Sequence, residues 1–536
     1  MTTSTTDSST PAPGAAASTD ERIAVVNPAT GLQIGSAPVF DAAAVAELAA
    51  RGRAAQPGWE AMGFDGRALV LRRMQQWMSD HADELLEILQ AETGRVFEDS
   101  VLELAYPLTA LGHWARNAEK YLRPQKAAAS SPFVLSRRLR SYYRPYGLVG
   151  IIAPWNFPIT IGFGDSIPAL AAGNAVILKP SEITPLSIEV IRRGLEECGM
   201  PEGVFQIATG AGATGAAVVD VVDMVMFTGS TATGRKVGAQ AAQRLIPASL
   251  ELGGKDPMIV LADANLERAA NLAVFGATVN SGQVCLSTER FYVEEAVYDE
   301  FVSRVVAKVS ALRQGVPVAP GSVDVGAIIT ADQLEVIDAQ VRDAVAKGAR
   351  VLVGGQPVRG VTGRFYEPTV LVDVDHTMAC MTDETFGPLL PIMKVADADE
   401  AVRLANDTRY GLAATIVTRD RARGAELAGR IDAGTVSVND MLTHCFALGL
   451  PMGGVKTSGI GTRHGAAGIR KFCATKAVLV APSFPNADIH FYPANEKVSP
   501  LLLAAVTGLY GTASRVARAT PRALATARRL RRELGR

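Results

Sequence analysis

Between residues 148 and 440, short apolar runs alternate with helix-like stretches, and this alternation limits the folds open to the chain more than any other feature. Along the chain the runs are "LVGIIA", "AVILKP", "VFQIATG", "MVMFTG" and "PMIVLA". A second series follows: "RFYVEE", "RVLVGG", "LLPIMKV", "AATIVT" and "GTVSVN". Each run has strand length, and helical patterning separates it from the next. Parallel strands need crossover helices, so the pattern predicts βαβ units and mostly parallel sheets. Two such series predict two α/β domains. Before them, from about residue 41 to about 122, Ala/Leu-rich helical patterning runs with few breaks. "PQKAAASSPF" (124–133) then reads as a loop. The arginines and tyrosines of "LSRRLRSYYRPYG" (135–147) suit a half-exposed extended arm.

A chain of 536 residues exceeds what one core serves, which agrees with several domains. Lys+Arg 53 nearly cancel Asp+Glu 54, so nothing global draws the chain to nucleic acid. The five cysteines, Cys198, Cys285, Cys380, Cys445 and Cys473, are scattered without CxxC spacing. That excludes a disulfide framework and a zinc cage, predicts no metal, and fits a reducing, cytoplasmic compartment. The Ser/Thr/Ala/Pro-rich residues 1–20 lack the basic and apolar regions of a secretory signal and read as a disordered tail. No long apolar span occurs in the body of the chain. Near its end, "SPLLLAAVTGLYG" (499–511) is apolar, and eight Arg face one Glu from Arg515 onward. Residues 499–536 suit peripheral contact with an anionic membrane surface, on the inner face, or a helix packed on the protein; both stay open.

The chemistry is concentrated in a few motifs. "NSGQVCLS" (280–287) sets Cys285 among small residues between a helix-like and a strand-like run. A thiol with access and nearby donors can be a nucleophile, while a lone cysteine is more often inert core. "LELGGKDP" (250–257) sets Glu251 among apolar residues and glycines. Burial would raise its pKa and suit a general base; a salt-bridged Glu is the plain alternative. In "APWNFP" (153–158) two prolines stiffen a turn around Trp155 and Asn156, whose amide could donate to an oxyanion or only satisfy the turn. "AVILKPSE" (175–182) puts Lys179, Ser181 and Glu182 past a strand end, where open α/β sheets bind ligands; two solvated charges would look the same. "FTGSTATG" (227–234) offers Gly229, Ser230 and Gly234 at a strand-to-helix junction fit for a pyrophosphate, or for a bland turn. "GAGATG" (210–215), with Gly212, spells GxGxxG but has no acidic residue about 20 positions on.

These motifs, with "GQVC", "DETFGP" (383–388) and "GGVKTSG" (453–459), stand in the order found in the aldehyde dehydrogenase superfamily. The chain resembles that family from about residue 22 to about 480. Its "VSVND…LPMGGVKTSGIGTRHG" region is similar to a bacterial branch acting on succinic semialdehyde or long apolar dialdehydes. The resemblance implies a Rossmann-like cofactor domain (21–134 and 148–254) and an α/β catalytic domain (255–440). It also implies a small oligomerisation arm, in which 135–147 pairs with 472–482, leaving 483–536 as an extension. A homodimer or homotetramer is expected. Cys285 becomes the nucleophile, Glu251 the general base and Asn156 an oxyanion donor. Trp155, Lys179, Ser181, Glu182, Gly212, Gly229, Ser230, Gly234, Glu384 and Phe386 become cofactor-binding residues.

Within the family, Glu182 would bond a ribose 2′-hydroxyl and repel a 2′-phosphate, which favours NAD and leaves NADP open. Family members that transfer to coenzyme A generally lack the base, so Glu251 implies a free acid product. Succinic semialdehyde enzymes commonly carry arginines where this chain has Val279 and Gly164. An apolar aliphatic or aromatic aldehyde is therefore expected, with succinic semialdehyde as the alternative. A non-catalytic nucleotide-binding scaffold would have lost Cys285, Glu251 or Asn156. A thiol redox protein would want a second cysteine near Cys285.

Overall fold

The computed structural model describes residues 21–483, apart from Pro132, Phe133 and Leu135, together with isolated positions beyond. The expected N-terminal tail and the apolar and basic stretches of 499–536 lie, apart from such isolated positions, outside the described residues. The chain divides into two compact units. One runs to Leu122 and resumes over Arg144–Ala474; the other holds Arg123–Tyr143 and the chain from Thr475.

Four helices, Ala42–Ala61, Gly63–Asp80, Ala82–Thr93 and Phe97–Leu122, form the early layer. Asp41 starts the first by accepting a hydrogen bond from the Ala44 backbone N–H at 2.9 Å, satisfying a donor with no helical partner. The third ends at Gly94 (φ 65°), where a Cβ would strike Pro28 at 2.8 Å, so only glycine fits. The fourth buries Asp99, Glu103 and Tyr106 on one face, at the i, i+4, i+7 spacing of a helix stripe.

Two mostly parallel sheets follow, as the alternation predicts. The six-stranded sheet has the order Gly459–Ile460, Ala248–Glu251, Met224–Thr228, Leu148–Ile152, Ala175–Lys179, Phe205–Ile207. Strands Leu148–Ile152, Ala175–Lys179 and Met224–Thr228 are buried at every residue, as expected for strands covered on both faces. The chain steps outward from Leu148–Ile152 to Phe205–Ile207, then returns to its other side with Met224–Thr228. That reversal leaves a crevice at the strands' C-terminal ends. Asn156, Lys179 and Gly229 all follow those ends.

The seven-stranded sheet has the order Arg350–Val353, Thr369–Val372, Leu389–Val395, Thr288–Glu294, Asp256–Val260, Ala413–Val417, Thr435–Val438. The run "PMIVLA", last of the first series along the chain, belongs here, paired with Thr288–Glu294 and Ala413–Val417. Strands Ala248–Glu251 and Thr369–Val372 are absent from the runs read in sequence. Gly459–Ile460 brings a late segment back into the first sheet, antiparallel to Ala248–Glu251. In a third sheet of three strands, Arg138–Pro145 lies between Gln125–Lys126 and Cys473–Val480. No helix of the described residues is long and apolar enough to cross a membrane.

Candidate active site

Helix Leu266–Thr278 ends in a tight turn, Val279–Gly282, that delivers Cys285. Asn280 (φ 51°), Ser281 (φ 56°) and Gly282 (φ 73°) are all left-handed. For Asn280 and Ser281 this costs on the order of 1 kcal/mol or more each, so the surroundings must hold them. Asp99 accepts the Asn280 backbone N–H at 2.9 Å, Ser281 Oγ donates to the Gly326 carbonyl at 3.0 Å, and Gln283 Oε1 accepts the Ile329 N–H at 2.8 Å. At Gly282 a Cβ would strike the Gly387 carbonyl at 2.2 Å. Cys285 itself is half-buried, and burial pushes its thiol up to about 12, with Glu384, Asp256 and Glu251 adding to the rise and Arg463 opposing it. Burial thus favours the neutral thiol over the thiolate.

Asn156 is 2% exposed, and its Nδ2 donates to the Gln283 carbonyl at 2.9 Å, two residues from the nucleophile. Its own carbonyl accepts from Asn280 Nδ2 at 3.2 Å and from Arg95. Arg95 also pairs with Glu103, and Glu103 Oε1 accepts the backbone N–H of Ile159 at 2.8 Å. One buried ion pair therefore anchors the Asn156 turn. Removing one partner would strand the other, at about 3–5 kcal/mol. Arg95, Asp99 and Glu103 were not singled out in the sequence. Acidic side chains recurring at helical spacing within a buried face was the available signal.

Glu251 ends its strand 2% exposed, and neither carboxylate oxygen has a protein hydrogen-bond partner. Burial pushes it up to about 7, with Arg463 and Lys471 opposing the rise and Asp165 reinforcing it. Near neutrality both forms are populated, as a general base requires. Arg463 Nη1 stands 3.8 Å from Glu251 Oε2. The rest of its guanidinium forks onto Asp165, Nε at 2.8 Å and Nη2 at 2.7 Å, and donates to Thr228 Oγ1 at 2.6 Å. Beside it, His464 (φ 60°) meets Tyr106 Oη at 2.9 Å, and burial drives its ring down to about 3, so it is neutral. Asp165, Arg463, His464 and Lys471 also went unassigned in sequence.

Two chambers meet at Cys285. Trp155, Asn156, Gly229, Ser230, Glu251, Glu384 and Phe386 line the first. Ser230 caps helix Thr231–Gln243 by accepting the Thr233 N–H at 3.3 Å, and a Cβ on Gly234 in its first turn would strike Leu252 at 2.3 Å. Phe386 (φ 51°) is fixed by Glu289, which accepts its backbone N–H at 2.7 Å and pairs with buried Lys255 at 2.7 Å. Phe386 meets the Trp155 ring edge to face at 5.3 Å. Glu384 accepts the Gly254 N–H at 3.1 Å, and burial pushes it up to about 8. Lys179 and Glu182 form an ion pair at 3.1 Å past the strand end next along the sheet, where Ser181 Oγ accepts the Ile183 N–H at 3.2 Å. Gly212 opens helix Gly212–Val221 after strand Phe205–Ile207; like Lys179, Ser181, Glu182 and Gly234 it lines neither chamber, and a Cβ there would meet nothing. A helix N-terminus beside a glycine floor, with a Lys–Glu pair on the same sheet edge, fits a dinucleotide.

The second chamber is apolar, lined by Phe157, Ile161, Phe275, Val279, Leu286, Met441, Leu442 and Met452 among others. Leu102 and Phe275 are exposed and mark its rim.

The aldehyde dehydrogenase family profile matches residues 15–478. The chain belongs to the aldehyde dehydrogenase family. A Mycolicibacterium smegmatis protein provisionally named a succinate-semialdehyde dehydrogenase (NADP+) is 40% identical over 454 residues, covering 84% of this chain and 87% of the relative. The 4,4′-diapolycopene aldehyde oxidase of a Methylomonas species is 40% identical over 474 residues, covering 88% of each. The crystal structure of a Mycobacterium tuberculosis aldehyde dehydrogenase complexed with NAD+ superposes with a TM-score of 0.83 at 34% identity, covering 87% of this chain and 96% of that one. In this aldehyde dehydrogenase, Trp155, Gly229, Ser230, Glu384 and Phe386 line the first chamber, and Lys179, Ser181, Glu182, Gly212 and Gly234 lie at strand ends and helix starts of the same sheet. Cys285, Glu251 and Asn156 converge where the chambers join.

Proposed function

We propose that this aldehyde dehydrogenase oxidises apolar aldehydes, aliphatic or aromatic, to free acids with NAD(P), through a covalent bond to Cys285. The observation that carries the substrate class is the apolar chamber ending at the thiol. Its Asp99 carboxylate would repel a distal carboxylate, while Glu103 is already paired with Arg95. Its arginine, Arg463, is already committed to Asp165 and Thr228. A side chain at Gly164, one of the two positions where arginine would favour succinic semialdehyde, would meet the Tyr106 ring at 2.7 Å.

Cys285 passes its proton to the Glu251 carboxylate, which releases it to solvent, as the sulfur attacks the aldehyde carbon. Asn156 Nδ2, which donates one hydrogen to Gln283, offers the other to the developing oxyanion, with the Cys285 backbone N–H. Gly229 and Ser230 would hold the pyrophosphate of a nicotinamide dinucleotide, Lys179 and Glu182 its adenosine ribose, and Glu384 and Phe386 the nicotinamide ribose and ring; when bound, that cofactor would supply the hydride acceptor. Glu251 then takes a proton from water as that water attacks the thioester carbon, the C–S bond breaks and the acid departs. Glu182 favours NAD over NADP by like-charge repulsion of a 2′-phosphate, moderated by Lys179. The sheet around Arg138–Pro145, with Leu479 and Val480 exposed, supports a homo-oligomer.

The test is NADH formation with hexanal, benzaldehyde and succinic semialdehyde, by wild type and Cys285→Ala, repeated with NADP. Turnover of the apolar aldehydes, lost in the variant, is the expected result. Preference for succinic semialdehyde, the second reading and the one favoured by the mycobacterial relative's name, would overturn the substrate class. Activity surviving in Cys285→Ala would overturn the mechanism.

A further inference from the structure

We propose that Arg463 is a positioning residue that acts through Glu251: clamped by Asp165 and Thr228, it presents one guanidinium nitrogen to the carboxylate at 3.8 Å and keeps it ionised without bonding to it. The inference rests on Glu251 being the base.

Three features of the geometry carry it. First, 3.8 Å is too long for a hydrogen bond, so both Glu251 oxygens stay free to accept a proton from water. A guanidinium that bonded the carboxylate in a fork would occupy those lone pairs and make a poor base. Second, Arg463 cannot close the gap, because its Nε and Nη2 are held by Asp165 and Thr228, and all three side chains are buried. Third, the opposing charge is itself balanced. Asp165 neutralises much of the guanidinium field, so Glu251 is stabilised in part and remains titratable.

Other groups face Glu251 as well. Lys471 Nζ lies 3.3 Å from Ser249 Oγ, on the strand that carries Glu251, and acts as a second cation. Tyr106 and the Cys285 thiol also couple to the carboxylate, and Asp165 opposes its ionisation. The two members of the clamp therefore push in opposite directions. Loss of the cation raises the pKa of Glu251, and loss of Asp165 lowers it.

The experiment isolates deacylation. Purified enzyme is acetylated at Cys285 with p-nitrophenyl acetate; the C–S bond forms as p-nitrophenolate leaves. Decay of the acetyl-enzyme is then followed by intact mass across the neutral pH range. In Arg463→Gln the acid limb should move up by roughly 1–3 pH units. In Asp165→Asn it should move down, and Arg463→Lys should restore most of the wild-type limb. A general structural injury would slow every variant without opposite shifts. An unmoved limb in Arg463→Gln, or shifts of the same sign in both clamp variants, overturns the proposal. Should Arg463→Gln fail to fold, Asp165→Asn decides alone, since a limb that stays or rises overturns it. Glu251→Gln separates the two levels. Wild-type decay in that variant would refute the base itself, whereas slow decay there with an unmoved Arg463→Gln limb would refute only the clamp.

Discussion

On one side of Cys285 the chamber wall combines glycine, serine and strand-end backbone with Trp155, Glu251, Glu384 and Phe386; on the other it is mostly Phe, Leu, Val, Ile and Met side chains. The first wall recognises by close approach. Phosphate and ribose need N–H groups and bare backbone, so residue identity there is set by what cannot fit, as at Gly234 and Gly253, where a Cβ would strike Leu252 and Glu384 at 2.3 Å. The second wall recognises chiefly by volume and apolar surface, which many apolar combinations satisfy. A shared family can therefore keep one wall and vary the other. The two relatives, each 40% identical to this chain, bear names for succinate semialdehyde and for 4,4′-diapolycopene aldehyde.

The junction is the place to break this comparison most completely. Cys285→Ala should remove dehydrogenase and esterase activity together, by roughly 10³-fold or more, because both chambers serve one sulfur. Glu251→Gln should lower acyl-enzyme hydrolysis by about 10²–10⁴-fold while acylation by ester persists. In the wild type, hydrolysis should rise as pH increases through about 7, since the working form is the carboxylate, and be lost as pH falls and the group protonates. On the apolar side, Val279→Arg should lower kcat/KM for hexanal roughly tenfold or more and raise it for succinic semialdehyde. No gain with the acidic aldehyde would mean that Asp99 or Glu103 captures the new cation. On the cofactor side, Glu182→Gln should raise use of NADP relative to NAD by about fivefold, the scale of one partly exposed charge. An unchanged ratio would remove Glu182 from cofactor choice.

The same contrast explains what was legible in the sequence. "FTGSTATG" and "LELGGKDP" could be read because clustered small residues at strand ends are a local pattern, although the groups that exclude a Cβ at Gly234 and Gly253 (Leu252 and Glu384) stand elsewhere in the chain, and the alternation of runs gave the parallel sheets. The turn at Asn280–Gly282 was also written locally, in small residues around a thiol. "GAGATG" has the same spelling, but Gly212 meets no such constraint. The buried charges were not legible. Asp165 and Arg463 are separated by 298 residues, and only the return of Gly459–Ile460 to the first sheet brings them together. Nor was the apolar chamber, whose Val279, Leu286 and Met452 have the composition of ordinary core.

The antiparallel pairing of Gly459–Ile460 with Leu250–Glu251 also has a consequence in time. A ribosome adding about 5–20 residues per second needs on the order of ten to forty seconds to travel from the catalytic carboxylate to the strand that completes its sheet. Until then Glu251 has no neighbour on its outer edge and no guanidinium opposite it. If Glu251 and Arg463 act as proposed, a nascent chain that already carries its thiol and its nucleotide crevice would lack a working hydrolytic centre until that strand is made.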